Sequence, residues 1–365
     1  MTNRFIESAA PGLASLKPYV PGKPLSELER ELGITGSIKL ASNENPLGPS
    51  ERVKQALSAQ IADLTRYPDG GGFELRGAIA KHHGVEPNRV TIGNGSNDVL
   101  DMIARVFLWP GRESLFSQHA FAVYPISSMA VGATLRVAPA VDYGHDLDAM
   151  REMITDATGV VWIANPNNPT GTYLGESALR AFVESVPAHV VVVVDEAYFE
   201  YVQRQDYPDT STWLNDFPNL IVTRTFSKAY GLASLRVGYG LSHPDMADLL
   251  NRVRQPFNVD SFAQAAAVAA LGDQAYLEQS IALNDAGMQQ LVDGVNKLGL
   301  SYIPSVGNFL TIDMGREAAP IDQALLRLGV VTRPIANYEL PNHLRVSIGL
   351  PEENARFLSA LEQVL

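Results

Sequence analysis

The chain has 365 residues, 46% hydrophobic and 19% charged, the make-up of a packed globular protein, and this excludes wholesale disorder. Acidic residues outnumber basic ones by 40 to 28, and the net charge of -12 argues against a nucleic-acid partner, which needs a basic field. The absence of cysteine excludes disulfides, a thiolate nucleophile and cysteine-held zinc or iron–sulfur centres, and it suits the cytoplasm.

In chain order, residues 1–18 lack a long apolar core, so no signal peptide is expected. No run approaches the roughly 18 apolar residues of a membrane span, so no membrane partner is expected either. The first 50 residues carry Pro11, Pro18, Pro21, Pro24, Pro46 and Pro49, and predict an extended arm with one short helix at 25–32. Apolar runs then alternate with helical patterns. Strands are predicted at 90–92, 159–164, 189–194, 219–223 and 236–241, and helices at 96–108, 176–186 and 244–254. Residues 190–194 are all valine. Continuous runs of this kind between helices predict strands buried on both faces, hence an α/β protein with a mostly parallel sheet. The alanine-rich stretch 261–298 predicts a long helix. A strand at 308–313, a helix at 322–328, a strand at 343–348 and a helix at 352–364 follow, the pattern of a smaller α+β lobe. The expected organisation is an arm over 1–45 that packs on the small domain, a large domain over 46–255 and a small domain over 256–365.

Ligands of such sheets sit beyond the carboxyl ends of the strands, so polar residues there bear most on function. Asp195 ends the valine run, where an unpaired carboxylate is costly; it is either a structural ion pair or cap, or a fixed anion that holds a proton on a cofactor nitrogen. Lys228 follows the next strand, behind Thr225 and Ser227, with Gly231 and Arg236 close after it. Hydroxyls and an arginine beside an amine make an anion cradle, and nearby positive charge lowers a lysine pKa toward the range of Schiff-base chemistry. Ser96 and Asn97 open a helix after Gly93 and Gly95, where backbone N–H groups suit a phosphate; Asp98 replaces the third glycine of a dinucleotide fingerprint. Asn168 lies in the loop after the 159–164 strand, which is either a plain turn or a source of an amide donor. A lysine, an acid, a phosphate nest and an amide donor at neighbouring strand ends together suit pyridoxal phosphate.

These motifs carry a resemblance. The sequence resembles the fold-type I pyridoxal-phosphate aminotransferases, and within them the histidinol-phosphate aminotransferase family. It does so through Leu16-Lys17-Pro18-Tyr19-Val20-Pro21-Gly22, Asn43-Glu44-Asn45-Pro46, Arg66-Tyr67-Pro68, the Asn167-Asn168-Pro169-Thr170-Gly171 loop, Asp195-Glu196-Ala197-Tyr198, Ser227-Lys228-Ala229-Tyr230-Gly231-Leu232 and Leu344-Arg345-Val346-Ser347-Ile348-Gly349. The resemblance implies a large mostly parallel-sheet domain and a smaller α+β domain. It implies that Lys228 bonds to the cofactor aldehyde, that Asp195 partners the ring nitrogen, and that Tyr198 and Asn168 donate to the phenolic oxygen. Ser96, Asn97, Thr225, Ser227 and Arg236 match the phosphate nest. Tyr67 matches the tyrosine that reaches the phosphate of a neighbouring subunit, which implies a homodimer. Phe121 sits where an aromatic ring stacks on the cofactor, although His119-Ala120-Phe121 replaces the commoner Pro-Thr-Tyr.

The implied reaction exchanges an amino group between histidinol phosphate and 2-oxoglutarate, with imidazole acetol phosphate and glutamate as the other pair. Arg345 matches the arginine for the substrate carboxylate, Arg333 one for the substrate phosphate, and Tyr19 a tyrosine that closes over the substrate; Asn45, Asn308 and Tyr338 are further candidates for the pocket wall. An aromatic amino-acid aminotransferase, a phosphothreonine decarboxylase on the same scaffold, and a silent cofactor-binding regulator are the alternatives. The seven histidines form no His-Glu-x-x-His site, no Gly-x-Ser-x-Gly elbow occurs, and no metal is expected.

Overall fold

The computed structural model describes residues 5–9, 11–16, 18, 22 and 24–365, so Tyr19 lies outside the described residues. The arm carries α1 (Leu25–Leu32), and a short strand, Ile38–Lys39, pairs parallel with Val330–Val331 of the small lobe. The large lobe is built on seven strands: β1 (Val90–Gly93), β2 (Glu113–Ser117), β3 (Thr134–Ala138), β4 (Thr158–Ala164), β5 (Val191–Asp195), β6 (Leu220–Thr225) and β7 (Gly238–Ser242). Their order across the sheet is β1-β7-β6-β5-β4-β2-β3, and only β7 runs antiparallel to its neighbours.

The helices α2 (Glu51–Gln60), α3 (Phe73–His83), α4 (Ser96–Phe107), α5 (Val123–Ala130), α6 (Leu147–Glu152), α7 (Glu176–Ser185) and α8 (Pro244–Val253) cover both faces of this sheet. Side chains alternate along a strand, so a strand covered on both faces must be apolar at every position. In β4 this holds from Val160 to Ala164, and in β5 from Val191 to Val194. Val161, Ile163, Val192 and Val194 join one core with α3 and α7, while Val160, Trp162, Val191 and Val193 join the other with α4.

The alanine-rich stretch is two helices, not one: α9 (Ser261–Leu271) ends at Gly272, and α10 (Gln274–Lys297) starts where the Asp273 side chain accepts from Tyr276 N. A glycine followed by an aspartate is a stop and a new N-cap, which outweighs the helical propensity of the alanines. Packing divides α9 and α10 between two cores. Ala263, Ala266, Ala267, Ala270 and Leu277 complete the large-lobe core, whereas Leu291 and Val295 at the far end of α10 belong to the small-lobe core. That lobe contains the antiparallel strands β8 (Ser301–Ile303), β9 (Phe309–Asp313), β10 (Arg333–Ile335) and β11 (Leu340–Ser347), in the order β8-β9-β11-β10, with α11 (Ala318–Arg327) and α12 (Pro351–Val364) on one face.

Candidate active site

The carboxyl ends of β4, β5 and β6 lie side by side, and the antiparallel β7 brings its first residues to the same edge. Arg236, expected to open that strand, instead precedes it with a left-handed φ of 52°. A cavity of about 240 Å³ opens there. Its wall brings together Ser96, Asn97, Phe121, Asn168, Asp195, Tyr198, Thr225, Ser227, Lys228, Arg236 and Arg345.

Three of these define its chemistry. Asp195 sits at the cavity floor, where burial pushes its carboxyl above the ordinary range and hydrogen bonds from Tyr124 and Thr223, with the charge of Lys228, pull it back. Burial is also the first cause acting on Lys228, followed by the charge of Arg345, and together they bring the amine down to about 8. The Lys228 Nζ donates to Ser42 O at 3.3 Å. Burial raises the Tyr198 phenol to about 12, so it stays protonated near neutrality.

The donors around the cavity have their directions set. Asn43 Nδ2 donates to Tyr198 Oη at 2.9 Å, which leaves the phenol proton available to another acceptor. Arg345 Nη1 donates to Asn168 Oδ1 at 2.6 Å, which leaves the Asn168 NH₂ as its remaining group. Arg345 Nη2 also donates to Ala41 O at 2.8 Å. On the opposite wall Arg236 Nη1 donates to Ser227 Oγ at 3.3 Å, beside the N-terminus of α4. Gly95 caps that helix with φ of 81°, and a Cβ there would lie 2.5 Å from Arg236 Nη2, so glycine is what allows the guanidinium to approach. Hydroxyls, free helix N–H groups and an arginine form an anion cradle. An amine on one wall, a buried carboxylate on the floor, phenol and amide donors between them and an anion cradle at the edge fit the aldehyde, ring nitrogen, phenolic oxygen and phosphate of pyridoxal phosphate.

Other candidates lie elsewhere. Asn45 Nδ2 donates to Ala229 O and Ser280 Oγ, so this side chain ties the arm to the Lys228 loop and α10 and stays out of the cavity wall; among the described arm residues Ser42 and Asn43 line it. Asn308 Nδ2 donates to Asn43 O at 3.0 Å, behind that wall. Arg333 pairs with Arg345 across the β10–β11 ladder, which puts both side chains on one sheet face. Tyr338 O meets His119 Nδ1 at 2.6 Å, joining the lobes. Tyr67 is 82% exposed and stacks on Phe257 at a centroid distance of 4.7 Å. Among the described residues no cluster of histidine and carboxylate side chains is arranged to hold a metal, and no helix is long and apolar enough to cross a membrane.

The chain belongs to the class I and II aminotransferases, whose family model matches residues 35–361. Within that class it belongs with the histidinol-phosphate aminotransferases. It is 60% identical over 367 residues to histidinol-phosphate aminotransferase 2 of Pseudomonas fluorescens, covering 100% of this chain and 99% of that one. It is 59% identical over 363 residues to histidinol-phosphate aminotransferase 2 of Pseudomonas aeruginosa, covering 99% and 98%. Among solved structures, the histidinol-phosphate aminotransferase of Sinorhizobium meliloti in complex with pyridoxal-5'-phosphate superposes with a TM-score of 0.88 at 30% identity, over 97% of this chain and 96% of that one. The aspartate aminotransferase of Thermus thermophilus with maleate shares the fold, with a TM-score of 0.83 at 21% identity over 97% and 98%.

Proposed function

We propose that this protein is a pyridoxal-phosphate-dependent aminotransferase that exchanges an amino group between histidinol phosphate and 2-oxoglutarate, serving histidine biosynthesis in the cytoplasm. The observation that carries the reading is a buried amine lowered to about 8 across one cavity from a buried carboxylate, with an anion cradle at its rim. Full-length relatives named for this activity support the choice of substrate.

When bound, pyridoxal phosphate supplies the aldehyde that takes up the amino group and a ring that withdraws the electron pair left at the substrate Cα. The remaining tasks fall to side chains. Ser96, Asn97, Thr225, Ser227 and Arg236 hold the phosphate. Asp195 keeps a proton on the ring nitrogen. Tyr198 and Asn168 donate to the phenolic oxygen, in the directions that Asn43 and Arg345 leave open to them. Phe121 covers the ring. Lys228, neutral in a good fraction of molecules near pH 8, would be the base that moves the proton at the substrate Cα. Arg345 pairs with the glutamate carboxylate, and Arg333 beside it supplies charge for the phosphate ester of the other substrate.

The same reading makes the protein a homodimer. Tyr67 and Phe257 stack on each other while 82% and 44% exposed, and Phe73 is 83% exposed, which favours a covering partner. Tyr67 would then reach the cofactor phosphate of the neighbouring subunit. Sedimentation of the wild type as a monomer at micromolar concentration would remove this part.

A half-reaction screen tests the substrate. Cofactor-loaded protein is mixed separately with histidinol phosphate, glutamate, phenylalanine and tyrosine, and the absorbance of the bound cofactor is followed. Conversion by histidinol phosphate and by glutamate is the expected result. Strong conversion by phenylalanine with none by histidinol phosphate would make it an aromatic amino-acid aminotransferase, and silence toward every donor would make it a binding protein.

A further inference from the structure

We propose that Tyr124 is a positioning residue for amino transfer: by donating to Oδ2 of Asp195 it keeps that carboxylate ionised and aimed, so that the proton between carboxylate and cofactor ring nitrogen stays on the ring. The inference rests on the assignment of Asp195 to that nitrogen.

Asp195 is 5% exposed at the end of β5, and each of its oxygens accepts one hydroxyl. Thr223 Oγ1 donates to Oδ1 at 3.0 Å, and Tyr124 Oη donates to Oδ2 at 2.9 Å. The two donors differ in origin. Thr223 is the ladder partner of Asp195 on β6, so the sheet register alone places it. Tyr124 arrives from α5, and its position is set by packing. Its ring is fully buried and stacks on Trp162 at a centroid distance of 5.2 Å and an interplanar angle of 10°. Trp162 is pinned in turn, with Nε1 donating to Ser114 Oγ at 2.8 Å, and Ser114 Oγ bonds Ser128 Oγ of α5 at 2.6 Å. The tyrosine is thus clamped between β2, β4 and its own helix. Burial, and then the charge of Asp195, holds its phenol protonated, so it acts as a donor throughout the working pH range. Phe121, which lines the cavity, meets the Tyr124 ring edge-on at 5.8 Å. The segment that covers the cofactor ring therefore also grips the acid beneath it.

The chemical consequence follows from proton balance. A single proton is shared between the carboxylate and the ring nitrogen. A donor to the carboxylate lowers its proton affinity, because the hydrogen bond favours the ionised form. Removing the Tyr124 hydroxyl leaves Oδ2 buried without that donor, raises the affinity of Asp195, and moves the proton from nitrogen to oxygen. The ring then loses its positive charge and its capacity to take up the electron pair from Cα. No bond other than the shared N–H···O changes.

The test is Tyr124→Phe, which keeps the stack on Trp162. Both holoenzymes are loaded with cofactor labelled with ¹⁵N in the ring, and the nitrogen chemical shift is read alongside kcat and KM for glutamate. The expected result is a wild-type signal at the protonated position, a variant signal displaced toward the unprotonated one, and a kcat lowered about 10- to 100-fold with KM changed less than threefold. A displaced signal in Thr223→Val, with Ser58→Ala on the exposed face of α2 left at the wild-type position, would support the same account and guards against a variant that fails to fold. An unmoved Tyr124→Phe signal with kcat within twofold of wild type overturns the proposal. A wild-type signal already at the unprotonated position overturns the role given to Asp195, and is distinguishable because it appears before any substitution.

Discussion

Arg345 Nη1 lies 2.6 Å from Asn168 Oδ1, although the two residues belong to different lobes and stand 177 positions apart. The guanidinium that faces the cavity from β11 thereby orients an amide at the end of β4. A planar, forked donor serves two acceptors in fixed directions, and the compact ammonium of a lysine does not reproduce that geometry. Arg345→Lys is expected to lower kcat/KM for glutamate about 10- to 100-fold, the worth of a hydrogen bond to a charged partner. The double variant with Asn168→Ala should lose less than the product of the single losses, since the two side chains act through one contact. Steady-state kinetics on the four proteins reads this coupling, and full additivity would show the contact to be idle.

Lys228 sets a pH dependence for uptake of the cofactor. Only the neutral amine attacks an aldehyde, and burial together with Arg345 brings its pKa down from 10.5 to about 8. The neutral fraction therefore rises with pH and levels off above about 8. The rate at which cofactor-free protein captures pyridoxal phosphate, followed by absorbance, should rise to a plateau with that midpoint. Arg345→Gln removes the second cause and should move the midpoint upward; a flat profile from pH 6 to 10 would contradict the assignment of the amine.

Gly95→Ala tests the anion cradle. The new Cβ would meet Arg236 Nη2 at 2.5 Å in a backbone with φ of 81°. Cofactor affinity should fall at least about tenfold, on the order of 1.4 kcal/mol. Gly36→Ala is the control, because Gly36 also has positive φ (69°) but nothing within 4 Å of a Cβ. It should leave affinity unchanged, as read by cofactor titration.

Behind the sheet, Arg224 Nε and Nη2 both donate to Glu196 Oε2, at 2.9 and 2.7 Å, and Nη2 also pairs with Asp209 at 2.7 Å. Arg224 and Glu196 are 2% and 0% exposed, so neither has water as an alternative partner. Glu196→Leu removes two hydrogen bonds of a buried arginine, leaves Asp209 as its remaining partner in this group, and should cost about 3 kcal/mol in denaturant unfolding. Replacing both residues with apolar ones should cost less than that single change, because the one charge then left without its arginine, Asp209, is 40% exposed and open to water.

Much of the architecture was legible because it is local. The alternation of apolar runs with helical patterns identified β1 and β4–β7, and helix boundaries such as Glu176–Ser185 fell within a residue or two of expectation. The strands β2 and β3 were missed. Glu113–Ser117 and Thr134–Ala138 contain glutamate, serine, threonine and arginine, so they lack the aliphatic run that betrays a buried strand. Lys228, Asp195 and the Ser96 turn could be assigned to one edge because a parallel sheet gathers its strand ends there.

What the chain alone determined was the set of groups delivered to that edge, since residue type and distance from a strand end are both local quantities. Which neighbour each group engages was decided only in three dimensions. Asn43 rather than Asn45 reaches Tyr198, across 155 residues, and Tyr124 reaches Asp195, across 71. The physical reason is that a hydrogen bond is set within a few tenths of an ångström and some tens of degrees, and no local pattern carries that precision across a folded chain.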